Sequence, residues 1–229
     1  MAKFTALLLT LAFVLMCGSG CRRKSADRNA LPADGARIDD RGSFLIYVPA
    51  RSEPTRKMPL VLALSPGGDA AIMISTWIEV TDHRGWIIAA SKEFRNGIEY
   101  ETVLKQVDST IETIERTEPV DSSRIVLSGL SGGAMAAHAF LQRRPGKVRA
   151  VVANTGMLEE AFMTENYPVG KLAVFLASPA DFRYQEMSRD RLFLEAKGWK
   201  TKWIEFSGGH VLAPATAYEQ AAAWLEQHW

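Results

Sequence analysis

Near the middle of the chain, Gly129-Leu130-Ser131-Gly132-Gly133 stands between two very different runs. Ahead of it, Arg124-Ile125-Val126-Leu127-Ser128 is β-branched and apolar and reads as a buried strand. Behind it, Ala134-Met135-Ala136-Ala137-His138-Ala139-Phe140-Leu141 is built of strong helix formers. A strand that turns into a helix within so few residues needs glycine, which tolerates tight backbone. The serine at the apex then projects from the end of a sheet. The N–H groups that open the helix point at whatever its hydroxyl attacks. G-x-S-x-G in that setting is the pattern of a nucleophile elbow. The plainer reading is a small-residue turn whose serine caps a helix. The strand before and the helix after favour the nucleophile.

The rest of the chain repeats the alternation. Strands are expected near 43–48, 59–64, 86–90, 124–128, 148–153, 172–177 and 201–206. Helices are expected near 70–80, 99–117, 132–143, 184–197 and 215–227. In the second of these, Val103, Leu104, Val107, Ile111 and Ile114 recur at helical spacing, and Pro119 stops the run. Strands alternating with helices predict an α/β fold with a mostly parallel central sheet. Strands 148–153 and 172–177 leave fewer than about twenty residues between them. That is room for a short helix near 157–164 and no cap domain, so the site should be open to a bulky substrate.

Three stretches resemble α/β-hydrolase-fold serine esterases, and within them the polyhydroxybutyrate-depolymerase and feruloyl-esterase-like carboxylesterases. Ser43-Phe44-Leu45-Ile46-Tyr47-Val48-Pro49 resembles the first core strand of that group. Pro59-Leu60-Val61-Leu62-Ala63-Leu64 resembles the strand leading into the oxyanion loop. The run from Val120 to Met135 resembles its V-D-x-x-R-I … G-L-S-x-G-G-M segment. The likeness covers about Arg41 to the C-terminus. It implies the α/β-hydrolase fold, with helices on both faces of the sheet.

A serine hydroxyl needs a base to take its proton, and the base needs an orienting acid. In this fold the order along the chain is serine, acid, histidine. Of the four histidines, His83 precedes Ser131, His138 lies inside the helix after the elbow, and His228 is at the C-terminus. His210 follows the last expected strand and the turn Ser207-Gly208-Gly209, where the fold places its base. Asp181 is the first carboxylate after strand 172–177 and resembles the acid position, while Glu186 and Asp190 fall inside the next helix. Gly132 should supply one oxyanion N–H. The other should come from Ser65-Pro66-Gly67-Gly68, which replaces the usual His-Gly of such esterases. Pro66 has no N–H, so the donor carried over is Gly67.

Lys+Arg 27 against Asp+Glu 26 leaves a net charge of +1, with no basic stripe, so nucleic acid is not an expected partner. No His/Cys/Asp/Glu set has metal-ligand spacing and no G-x-G-x-x-G follows an expected strand, so no metal or organic cofactor is expected. The apolar run Leu7 to Met16, with Lys3 ahead of it, is too short to span a bilayer and reads as the core of a signal peptide over 1–20. Both cysteines, Cys17 and Cys21, lie there, which rules out a disulfide within the folded part. Cys21 resembles a bacterial lipoprotein acylation site, and the polar stretch over 21–40 reads as a tether to a catalytic domain over 41–229. The chain is thus expected to be exported and anchored to the cell envelope, or otherwise periplasmic or secreted.

The leading expectation is a serine hydrolase of carboxylic esters, small or polymeric. A peptidase or acyltransferase would use the same triad. A reading of another class is a catalytically weak, lipid-anchored binding protein of hydrolase fold. The sequence carries no signal for acyl group, alcohol or oligomeric state.

Overall fold

A computed structural model describes residues 35–50 and 55–229. Where the sequence stays apolar for several residues, it forms strands buried on both faces. β3 (Met58–Leu64), β4 (Ile87–Ser91), β6 (Ala150–Asn154) and β7 (Leu172–Ala177) are buried at every position, as parallel strands covered by helices on both sides must be. β1 (Arg37–Asp40), β2 (Phe44–Val48), β5 (Val120–Leu130) and β8 (Lys200–Glu205) complete an eight-stranded sheet, ordered β1-β2-β4-β3-β5-β6-β7-β8. From β4 to β8 all neighbours are parallel, while β2 runs antiparallel to both β1 and β4.

Period-two alternation divides the core. Leu60, Leu62 and Leu64 of β3 pack on one face with α2 (Tyr100–Thr117), α3 (Gly132–Arg143) and α4 (Tyr184–Ala196). Val61 and Ala63 pack on the other with α1 (Ala70–Arg84) and α5 (Ala215–Glu226). α2 buries the five apolar residues read from its spacing and stops just before Pro119. α1 starts where the Asp69 side chain accepts the Ile72 N–H at 3.1 Å, and ends at Gly85 with φ 69, a left-handed cap that glycine takes without strain.

The structure departs from the sequence reading at two places. β1 occupies the last four residues of the expected tether and pairs antiparallel with β2. Its Arg37 reaches across to the buried Glu118, with Nη2 to Oε2 at 2.5 Å. Three of its four residues are charged, so no apolar alternation marks it. The β6–β7 link carries only a single 3-10 turn at Glu160–Phe162 where a short helix was expected, and no cap domain. The signal peptide over 1–20, Cys21 and the tether as far as residue 34 lie outside the described residues. Among the described residues no helix is long and apolar enough to cross a membrane.

Because β3 to β8 are parallel, their C-terminal ends lie along one edge of the sheet. Gly67, Asn96, Ser131, Thr155, Asp181 and His210 all follow strand ends there. That edge is where open parallel sheets place their ligands.

Candidate active site

β5 ends at Leu130 and α3 begins at Gly132, so Ser131 alone makes the turn. It sits at φ 52, ψ −117, a conformation that costs a non-glycine residue roughly 1–3 kcal/mol. Hydrogen bonds on both sides hold it there. Its N–H donates to the Asn154 carbonyl at 2.9 Å, and its carbonyl accepts from Ala134 N–H at 2.9 Å. The surrounding glycines supply space rather than unusual backbone, since none of Gly129, Gly132 and Gly133 has positive φ. A Cβ on Gly129 would lie 2.1 Å from the Gly133 carbonyl carbon, and one on Gly133 would lie 2.1 Å from the Leu64 oxygen. The strain expected of the turn rests on the serine itself.

Ser131 Oγ stands 2.9 Å from His210 Nε2. His210 Nδ1 stands 3.0 and 3.1 Å from the two oxygens of Asp181. The Asp181 side chain is fully buried, and its Oδ1 also accepts the Arg183 N–H at 2.9 Å. An ionised carboxylate only accepts. The imidazole therefore carries its proton on Nδ1, which leaves Nε2 free to accept from the serine hydroxyl. His138 and His228 are engaged elsewhere. His138 is buried with Nδ1 3.2 Å from the Tyr167 hydroxyl, and burial pushes its pKa down to about 4. His228 Nδ1 donates to the Trp224 carbonyl at 2.7 Å.

Two polar residues that sequence reasoning passed over hold these loops together. Asn154, buried at the end of β6, takes the Ser131 N–H on its carbonyl. Its side chain donates to the Val211 carbonyl at 3.0 Å and accepts the Ala213 N–H at 2.7 Å. One residue thus braces the elbow and the chain just past His210. Ser178 Oγ accepts the Gly209 N–H at 2.9 Å and joins the acid loop to the histidine loop. The available signal was a polar residue closing each of two apolar strands, Val151-Val152-Ala153-Asn154 and Phe175-Leu176-Ala177-Ser178.

The loop after β3 is a tight turn. Gly68 N–H donates to the Ser65 carbonyl at 3.0 Å, and Asn96 N–H donates to the Pro66 carbonyl at 3.0 Å. Gly67 has no positive φ, so with Pro66 ahead of it the turn is type I. Gly68 has committed its N–H to the turn. Gly67 has not, and it is exposed.

A cleft of about 250 Å³ opens beside Ser131 and Gly132. Phe94, Ile98, Val103 and Met135 give it an apolar lining, and Phe182 and Arg183 form part of its rim. Phe182 is 67% exposed, and its ring centroid lies 4.6 Å from that of His210. Within the cleft Tyr100 donates its hydroxyl to Glu159. Burial, and then the Glu159 carboxylate, hold that phenol above its ordinary pKa, so it stays protonated. Of the aromatics near strand ends, Phe94 and Phe182 face the cleft. Trp77 is buried against Tyr218 and Trp86, and Tyr184 packs edge-on against Trp203. Among the described residues no group of three or more His, Cys, Asp or Glu could hold a metal ion.

No family model matches the sequence, and no curated protein matches it. Many solved structures share its architecture. A thermostable esterase from Pseudomonas putida superposes with a TM-score of 0.68 at 14% identity, over 89% of this chain and 85% of that one. A ferulic acid esterase superposes with a TM-score of 0.62 at 15% identity, over 85% of this chain and 98% of that one. A puromycin-hydrolyzing peptidase of Mycobacterium tuberculosis gives a TM-score of 0.65 at 15% identity, over 91% of this chain but 42% of that one. At these identities the likeness is one of fold, and the fold is that of the α/β hydrolases.

Proposed function

We propose that the protein is a serine hydrolase that cleaves carboxylic esters through an acyl-enzyme. The observation that supports this most directly is the 2.9 Å approach of Ser131 Oγ to His210 Nε2, with Asp181 behind the imidazole. Ser131 attacks the ester carbonyl as His210 takes its proton. The oxygen of the tetrahedral intermediate is met by the N–H groups of Gly132 and Gly67. Collapse expels the alcohol, which leaves with the proton from His210, and the acyl group remains on Oγ. Water then attacks, again with His210 as base, and frees the acid and Ser131. Asp181 holds the required tautomer and stabilises the imidazolium.

The uncapped cleft suits a small or a polymeric ester. Solved structures of this fold that are named as esterases and as a peptidase support cleavage of an acyl bond. An exported protein, anchored through Cys21, belongs to the same proposal.

The test is hydrolysis of p-nitrophenyl esters of increasing acyl length together with labelling by a fluorophosphonate. Wild type should label and turn over. Ser131→Ala should do neither, with kcat reduced by about 10⁶-fold. A folded wild type that neither labels nor hydrolyses would make this a binding protein on a hydrolase scaffold.

A further inference from the structure

We propose that Asn96 is a catalytic residue whose carboxamide donates a hydrogen bond to the substrate carbonyl oxygen as charge develops there. This rests on the serine-hydrolase reading above. The β4–α2 link brings Asn96 onto the elbow. A Cβ built on Gly132 would lie 1.9 Å from Asn96 Oδ1, 2.8 Å from Cγ and 3.1 Å from Nδ2. The carboxamide therefore fills the space a side chain at position 132 would need. It lies against the residue whose N–H faces the oxyanion.

The carboxamide is also uncommitted. Among the described residues it bonds no protein group, although Asn96 lines the cleft with Ser131 and Gly132. Other polar groups around the cleft have partners. Tyr100 bonds Glu159, Thr155 Oγ1 accepts from Asn154 and Arg183 pairs with Glu186. The two ends of a carboxamide exchange by a half-turn, and a developing oxyanion selects the N–H₂ end.

The backbone beneath it is fastened. Asn96 N–H holds the Pro66 carbonyl. Arg95 Nη1 donates to the Lys92 carbonyl at 2.9 Å and lies where a Cβ on Gly68 would be, at 2.8 Å. Ser91 Oγ accepts from Phe94 N–H at 3.0 Å. Asn96 and the Gly67 turn thus form one braced unit, the preorganisation an oxyanion donor requires. Pro66 has no N–H and Gly68 has spent its own, so the turn offers the oxyanion only the Gly67 N–H, and the Asn96 N–H₂ would join Gly67 and Gly132 as a third donor.

Asn96→Ala and the near-isosteric Asn96→Asp test this on p-nitrophenyl esters. Both should lower kcat by about 10²–10³-fold with KM unchanged. Affinity for a boronic-acid mimic of the tetrahedral state should fall in parallel with kcat/KM. Asn96→Asp keeps the shape of the side chain but offers no N–H, so a residue that only shapes the loop would lose boronate affinity in Asn96→Ala and keep it in Asn96→Asp, and thermal melts of both variants check the fold. Unchanged kcat and boronate affinity in a folded variant, beside a wild type that labels and turns over, overturns the role of Asn96 alone. A wild type that neither labels nor turns over overturns the hydrolase reading and this role with it.

Discussion

Ser131 is a strained residue held by its neighbours, and the proposed triad depends as much on what fixes the imidazole as on the serine. Asp181 fixes it by being able only to accept. Asparagine at 181 keeps the shape but can turn its N–H₂ toward His210, which favours the tautomer with hydrogen on Nε2. That nitrogen can no longer take the serine proton. Asp181→Asn should therefore lower kcat by about 10⁴-fold while circular dichroism and melting stay unchanged. Equal activity in the variant would remove Asp181 from the mechanism. Ser131, Asp181 and His210, which the structure brings within hydrogen-bonding distance, could be put forward from the sequence because each follows a recognisable strand and the resembled fold orders its triad serine, acid, histidine. Asn154 shows only as a polar residue closing an apolar strand, and Asn96 carries no such signal. Their partners are distant in sequence, at Val211 and Ala213 for one and at Gly132 for the other. No local pattern announces such a pairing.

At the scale of elements, α3 approaches β3 so closely that Gly133 touches the Leu64 backbone. Gly133→Ala must push the helix away and drag the elbow with it. Overpacking of this kind destabilises by about 1–3 kcal/mol, and the proposed esterase activity should fall further than stability alone explains. Gly146→Ala is the control, because nothing lies within 4 Å of the added carbon. Urea melts of both variants decide it, and equal stability would mean that α3 can shift freely. The central strands are legible as apolar runs, and α2 is legible from its apolar residues at helical spacing. β1 is not, because three of its four residues are charged and it lies at the edge of the sheet. Charges on an edge strand guard against pairing with another chain, and they also erase the pattern by which a strand is recognised.

At the scale of the whole molecule, two buried groups among the described residues that titrate in the acid range, His138 and Asp190, bind protons differently from the unfolded chain, with opposite effects on stability. His138 is held neutral by burial, with its pKa lowered to about 4. As pH falls from about 6.5 to 4, the unfolded chain takes a proton that the folded protein refuses, so up to about 3 kcal/mol of stability is lost. Asp190 is fully buried and accepts the Leu158 N–H at 2.6 Å, which pins the loop that carries Met157 and Glu159. Burial raises its pKa to about 6, against the pull of that hydrogen bond and of Arg189. As pH falls through about 6 to 4, the folded protein keeps a proton the unfolded chain does not hold, so Asp190 adds stability. His138→Gln should flatten the acid loss, and Asp190→Asn should steepen it. Urea denaturation across that pH range reads both slopes, and parallel profiles for all three proteins would refute the assignment.

The amino-acid sequence by itself determined the alternation of strands and helices and the turn at Ser131, which follow from periodicity and local backbone chemistry acting over a few residues. The proposed order of serine, acid and base comes from the resemblance to α/β-hydrolase-fold esterases. The tertiary structure decided what surrounds them. It paired β1 with β2, set Asn154 between Ser131 and the His210 loop, and laid the Asn96 carboxamide against Gly132. A parallel sheet brings the ends of distant strands to one edge. Which side chains meet there depends on twist, register and loop path, which no short-range pattern encodes.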